Sequence, residues 1–134
     1  FSVPHIILRG ACDLKAAASR FVPARADGNG WIIRLKELYL SSTGRNAVID
    51  CTAVRSGFSQ DFYLRVELKG EGLTVRVDPY MRIERNEGVQ RAILGVVRFL
   101  MQVDPALRFE KTNFPPELAA EIPTATPSGE TVQS

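Results

Sequence analysis

Arginine side chains are the residues of this chain best suited to binding a charged ligand. A guanidinium group binds phosphate or carboxylate through two parallel hydrogen bonds. Arg65 and Arg76 fall side by side on neighbouring strands of the sheet predicted below, where two adjacent cations favour an anion between them. Arg91 and Arg98 lie seven residues apart on one face of a predicted helix. These four arginines are therefore the predicted anion-binding residues.

The same arginines also fit a ladder of surface salt bridges. The predicted strand register aligns four charged residues in one row on the outer side of the sheet: Glu37, Asp50, Arg65 and Arg76. In that row Asp50 neutralises Arg65, while Glu67 and Asp78 lie diagonally beside the two arginines. Exposed ion pairs of this kind contribute only about 0–1 kcal/mol each. A ladder is the simpler of the two interpretations.

The residues that carry acid–base, nucleophilic or metal chemistry are scarce in this sequence. His5 is the only histidine, which argues against a catalytic triad or a histidine-rich zinc site. Cys12 and Cys51 form neither a CxxC pair nor a zinc-binding spacing, and a disulfide between them stays open. The GxSxG, HExxH, Walker A and GxGxxG motifs are absent. We therefore predict no catalytic residues, no metal and no cofactor, and the sequence favours a protein that is not an enzyme.

The composition is that of an ordinary globular protein. Hydrophobic residues make up 45% and charged residues 24% of the 134 residues, and no apolar run is long enough to span a membrane. Two reduced thiols would suit a cytoplasmic protein, which is the predicted location. The chain begins with Phe1 rather than Met, which indicates a trimmed or partial chain. Residues 1–109 hold 16 basic against 11 acidic residues, and this scattered excess permits a nucleic-acid hypothesis.

Three evenly spaced turn signals predict an antiparallel meander. They lie 14 and 13 residues apart, at Thr43-Gly44, Gly57-Phe58 and Gly70-Glu71. Two-residue turns at the first and third signals set Leu38 opposite Ile49 and Leu64 opposite Val77. A two-residue turn at the second signal sets Cys51 opposite Leu64. The apolar residues of these strands then share one face, which a one-residue shift in register would destroy.

The first long strand of the meander contains an irregularity. Two sets of alternating apolar residues are out of phase with each other: Trp31, Ile33 and Leu35, followed by Leu38 and Leu40. One extra residue between the two sets would return them to a single face. We therefore predict a β-bulge near Lys36-Glu37.

A first strand and two helices complete the predicted elements. Residues 3–9 are predicted as a strand, and Asp13 is a suitable N-cap for a short helix that ends before Pro23. Residues 86–103 are predicted as a helix capped by Asn86. This helix is apolar over more than the single stripe that packing on a sheet requires, so a second element, a second subunit or a ligand must cover it. Folding back of residues 105–121 would supply such cover through four apolar side chains: Leu107, Phe109, Phe114 and Leu118.

These elements predict an α+β fold. It consists of an antiparallel β-meander of about five strands, in the order β-α-β-β-β-β-α, with the C-terminal helix packed on one sheet face. Residues 1–122 are predicted to form a single globular domain. Residues 123–134 have the composition of a flexible tail.

Three functions are compatible with this sequence. The first is a non-catalytic binding or assembly module that contacts another protein or a second copy of itself, and the over-wide apolar helix favours it. The second is a small carrier or enzyme that binds an apolar ligand between sheet and helix. Its predicted lining consists of six apolar residues: Leu64, Val66, Val75, Ile93, Val97 and Leu100. The third is nucleic-acid binding through the scattered arginines, with Tyr39 and Tyr63 available to stack on bases.

Overall fold

The computed structural model describes residues 3–123. In chain order the described elements are β1 (His5–Arg9), α1 (Leu14–Arg20), β2 (Ala24–Arg25), β3 (Ile32–Leu40), β4 (Asn46–Arg55), β5 (Phe58–Lys69), β6 (Gly72–Val77), α2 (Glu87–Val103), β7 (Arg108–Thr112) and α3 (Pro116–Ala119). Residues 124–134, which make up most of the predicted tail, lie outside the described residues.

The seven strands of the described chain form one antiparallel sheet, in the spatial order β2-β3-β4-β5-β6-β1-β7. The sheet curls around α2, which contacts β1, β3, β4 and β6. The predicted α+β fold with an antiparallel meander is thereby confirmed. The predicted number of about five strands is too low, because a short strand is added at each edge of the sheet. The predicted element order is also incomplete, because β7 and the short helix α3 follow α2, which is therefore not the C-terminal element.

The two additional strands have sequences without a clear strand pattern. β2 contains only two residues, which is too short for any alternation to be recognised. β7 pairs with β1 and consists mainly of exposed charged residues, so it lacks an apolar face. Because β6 and β7 flank β1, the first strand lies inside the sheet, and Pro4 comes just before it.

The predicted registers of the first and third hairpins are confirmed. Leu38 pairs with Ile49 across the β3–β4 hairpin, and Leu64 pairs with Val77 across the β5–β6 hairpin. Gly70, the first residue of the third turn, has a φ of +56°, as a type II′ turn requires at that position.

The predicted register of the second hairpin is wrong by two residues. The loop is Ser56-Gly57 rather than Gly57-Phe58, so Cys51 pairs with Phe62 instead of Leu64. Ser56 and Gly57 both have positive φ, +37° and +80°, which is the pattern of a type I′ turn with glycine in its second position. Since two residues are one full period of a strand, the apolar face is preserved and only the pairing along it changes.

The predicted bulge is confirmed at Lys36. Leu35 pairs with Cys51 and Glu37 pairs with Asp50, so Lys36 is the extra residue of β3. The bulge keeps the apolar residues on both sides of it directed towards α2.

Both predicted helices and their N-caps are confirmed. The Asp13 carboxylate accepts hydrogen bonds from the N–H groups of Lys15 and Ala16 at 3.0 and 3.1 Å. The Asn86 side-chain oxygen accepts the Val89 N–H at 3.3 Å, at the start of the 17-residue helix α2. Among the residues that the structure describes, no helix combines the length and apolar character needed to cross a membrane.

The chain itself covers the apolar surface of α2. One side packs on the sheet, and α1 adds Leu14 and Ala17 to the same core. The segment after α2 adds four further buried residues: Leu107, Phe114, Leu118 and Ile122. Phe109 does not join them as predicted, because it lies on the edge strand β7 and is 39% exposed. The packing is close enough that a Cβ atom on Gly88 would lie 2.7 Å from the Trp31 ring.

Candidate interaction surface

The outer face of the sheet, which is the face turned away from α2, carries no helix of the described chain. α1 and α3 contribute Leu14 and Leu118 to the core that α2 fills, so the described helices share the inner side. Tyr39 and Tyr63 lie on the outer face with 55% and 44% of their surface exposed. Aromatic residues exposed on an open sheet face are typical of contact surfaces.

Arg65 and Arg76 are direct neighbours on the outer face, across β5 and β6. Glu67 Oε2 lies 3.3 Å from Arg65 Nη2, and Glu67 Oε1 lies 3.1 Å from Arg76 Nε. Lys69 Nζ adds a third cation, 3.8 Å from Glu67 Oε1. A carboxylate of the chain thus occupies the position between the arginines where the sequence indicates an anion.

Burial and charge act in opposite directions on Glu67. Partial burial by itself raises the pKa of its carboxyl group. The hydrogen bond from Arg76 and the charges of Arg76, Arg65 and Lys69 together outweigh burial and hold the pKa below the ordinary value of 4.5. Glu67 is therefore ionised at neutral pH and keeps both arginines in place.

Acid is expected to weaken the fold partly through Glu67. A carboxyl group whose pKa is lower in the folded state stabilises the fold above its unfolded-state pKa, and this contribution disappears as the pH falls through the folded-state pKa. The stability lost between about pH 7 and pH 3 should therefore be smaller for Glu67→Gln than for the wild type. Urea unfolding at several pH values measures the difference. Glu110→Gln, at the exposed ion pair with Arg9, is the matched control, and equal losses in all three proteins would contradict the prediction.

Asp50 does not lie in line with Arg65, contrary to the predicted row. The two-residue change in the second hairpin sets Asp50 opposite Tyr63. Asp50 forms its ion pair with Lys36 instead, at 3.5 Å, and Lys36 also lies 3.4 Å from Asp61. The bulge therefore places the Lys36 cation between two carboxylates.

The second half of β3 lies at an edge of the sheet, and the helices α1 and α2 both contact β3. β2 pairs with only two residues near the start of β3, and no described strand pairs with residues 37–40 on that side. The Ser41 N–H donates to the Asn46 carbonyl at 2.9 Å, towards β4. Because the backbone groups of successive residues alternate in direction along a strand, the N–H and C=O groups of Leu38 and Leu40 point towards the open edge.

The opposite edge of the sheet, formed by β7, has a different character. β7 is five residues long, and its outward residues are mostly charged: Arg108, Glu110 and Lys111. Short length and charged side chains both discourage pairing with another strand. The second half of β3 lacks such a run of charged residues: Leu38 and Leu40 are half-buried and Tyr39 is exposed, and the short helix α1 also contacts β3.

Arg91 lies on the helical side of the sheet and is nearly buried. Its side chain is 9% exposed. Its Nε donates to Glu87 Oε2 at 2.8 Å, and its two terminal nitrogens donate to the two carboxylate oxygens of Glu121 at 3.3 and 3.2 Å. Gly28 packs against the guanidinium so closely that a side chain there would collide with it. Arg91 therefore links α2 to the loop before β3 and to the segment after α3.

A surface cavity of about 340 Å³ opens beside this ion-pair cluster. Its lining contains three glutamates: Glu87, Glu117 and Glu121. Asn29 also lines it and donates from its side-chain nitrogen to both Glu87 oxygens, at 3.0 and 3.1 Å. Arg91 lines the same cavity and pairs with Glu87 and Glu121, so the charged lining keeps an acidic excess.

Arg98 reaches the same carboxylate as Arg91, since its Nη2 lies 3.7 Å from Glu121 Oε1. The two helix arginines therefore meet on Glu121. The four predicted anion-binding arginines form two separate pairs, Arg65 with Arg76 on the outer face and Arg91 with Arg98 on the helical side. Each pair contacts a glutamate of the chain itself.

The histidine and the two cysteines have environments that suit structural roles. His5 Nδ1 lies 2.9 Å from the Val3 carbonyl oxygen. Burial, followed by the nearby Asp104, raises the pKa of the half-buried Cys12 thiol to about 12. Burial likewise raises the pKa of Cys51, and both free thiols are protonated at neutral pH. Within residues 3–123, no three His, Cys, Asp or Glu side chains are grouped so that they could hold a metal ion.

The six apolar residues proposed to line a ligand site come together between the sheet and α2. Each is at most 1% exposed, and together they belong to the packed core: Leu64, Val66, Val75, Ile93, Val97 and Leu100. Five surface cavities within residues 3–123, of about 260 to 510 Å³, are lined by other residues. A ligand between sheet and helix would therefore have to displace core side chains.

Comparison with known proteins finds no relative: no family model, curated protein or solved structure matches the chain. Any functional assignment therefore depends on the geometry described above. Two parts of that geometry do not follow from the sequence pattern. One is the edge position of β3, which could have been suspected only from the three consecutive apolar residues Leu38, Tyr39 and Leu40. The other is the burial of Arg91, which could have been suspected only from Glu87, the ion-pair partner four residues earlier on the same helix.

Proposed function

We propose that this chain is a non-catalytic binding or assembly module that acts through protein–protein contact. The observation that carries the proposal is the contrast between the two sides of the sheet. On the inner side, the helices and the segment after α2 fill the core. On the outer face and along the edge of β3, exposed Tyr39, exposed Tyr63 and unpaired backbone groups are available to a partner.

The charged residues support contact rather than catalysis. Glu67, Glu87 and Glu121 each pair with arginine, so their carboxylates are held in ion pairs instead of being poised for proton transfer. Charges that are already paired in one molecule present a rigid pattern to another, which favours specificity of contact. Two free, protonated thiols also fit the proposed cytoplasmic location.

A carrier or enzyme for an apolar ligand is the alternative proposal. It requires the core between the sheet and α2 to open, because the six residues assigned to the lining are packed against each other. Nucleic-acid binding through the arginines is the third, and it requires those arginines to leave their glutamates. Both alternatives therefore need a rearrangement that the assembly proposal does not.

Native mass spectrometry of the purified chain separates these proposals. For a self-associating module we predict a complex of two or more chains with no small molecule attached, whereas a module that contacts a different protein stays a bare monomer once purified. A monomer that carries extra mass removable by apolar solvent would contradict it and support the carrier. Binding to mixed-sequence single-stranded DNA that weakens steeply with salt would support the third alternative.

A further inference from the structure

We infer that the partner is a second copy of this chain, and that the two copies pair edge to edge through residues 37–41. The inference rests on the proposed function and identifies the partner that this function requires. The pairing would join two sheets into one continuous antiparallel sheet across a two-fold axis. The direction of the free backbone groups, the side chains that would face each other and the charges of the segment each support it.

The free backbone groups fit a two-fold axis at Tyr39. Such an axis sets Leu38 of each copy opposite Leu40 of the other. Leu38 and Leu40 are the residues whose N–H and C=O groups point to the open edge, so each of the two pairs forms two backbone hydrogen bonds. An axis at Leu38 would instead set Leu40 opposite the bulge at Lys36, where the ladder is interrupted.

The side chains that face each other across this axis are compatible. Leu38 and Leu40 both face the inner side and are half-buried in a single copy, so their cross-pairing buries further apolar surface. Tyr39 meets Tyr39 of the second copy in a pair without mutual backbone hydrogen bonds, where side chains approach most closely. Glu37, the charged residue of the segment, falls opposite Ser41. No like charges therefore oppose each other.

Charge substitutions at Tyr39 test this register, because Tyr39 lies opposite Tyr39 of the second copy. Tyr39→Glu and Tyr39→Lys each place two like charges at the centre of the pairing, and we expect each to raise the dimer dissociation constant about tenfold or more. An equimolar mixture of the two variants sets glutamate opposite lysine and should recover the dimer. Tyr63→Glu is the matched control, since Tyr63 is exposed on the same face two strands away.

Sedimentation velocity over a dilution series measures the dimer dissociation constant of the wild type, of the three variants and of the mixture. Circular dichroism verifies that each variant is folded. Weakened dimers of both Tyr39 variants, recovery in the mixture and an unchanged Tyr63→Glu dimer would support the pairing. A wild-type dimer that both Tyr39 variants retain would overturn the pairing and leave the proposed function intact, because the copies would then meet elsewhere. A wild type that stays monomeric would overturn the inference, and the proposed function would then require a different protein as partner.

Discussion

Leu100→Ala is expected to lower the free energy of unfolding by about 2–5 kcal/mol. Leu100 is fully buried on α2. Its truncation removes apolar burial and leaves a cavity that a close-packed core closes only in part. Urea unfolding followed by circular dichroism measures the change through the transition midpoint and slope.

Val22→Ala is the surface control for this truncation. Val22 is 67% exposed, so its loss should change the free energy of unfolding by no more than about 0.5 kcal/mol. A loss below about 1 kcal/mol at Leu100 would contradict a filled core. That result would favour the apolar-ligand carrier, since a side chain that borders an internal space has fewer packed neighbours to lose.

Replacement of both glutamates that hold Arg91 is expected to lower the free energy of unfolding by about 3 kcal/mol. In the double variant Glu87→Gln, Glu121→Gln, the nearly buried guanidinium keeps its position and loses both anionic partners. A buried charge without a counter-charge is costly, and the amide oxygens that remain compensate only in part. The two single variants complete a double-mutant cycle, which isolates the coupling between the glutamates.

Glu117→Gln is the matched control for the Arg91 cluster. Glu117 lines the same cavity but forms no ion pair within residues 3–123, so its replacement should change the free energy of unfolding by less than about 0.5 kcal/mol. A double variant as stable as the wild type would contradict the prediction. Water entering from the cavity would then be an adequate replacement for both carboxylates.

The sheet was largely predictable because alternation and turn residues act locally. Two of the three hairpin registers and the bulge at Lys36 followed from the apolar phase alone. The second register failed because Gly57 fits either position of a two-residue turn, and Ser56 adopts the positive φ of the first. β7 could not be recognised from the sequence. The exposed charged residues that keep an edge strand from pairing further also leave it without the alternating apolar residues by which a strand is recognised.

The charged contacts were less predictable because they depend on pairs distant in sequence. Arg91 stands on the narrow polar stripe of α2, which is the usual position of a solvated arginine. Its burial results from Gly28 and Glu121, which lie far from it along the chain and reach it only through the fold. On the outer face, the two-residue change in the second hairpin moved Asp50 from Arg65 to Lys36. A charged residue on a sheet has several possible ion-pair partners on the neighbouring strands, so the sequence does not determine which pair forms.

The solution mass of the wild-type chain, measured by light scattering over a wide dilution series at low and high salt, is the most direct test of assembly through this surface. We predict twice the mass of one chain at both salt concentrations, because backbone hydrogen bonds and apolar pairs are little affected by ionic screening. A mass of one chain at every concentration and both salts would contradict self-assembly.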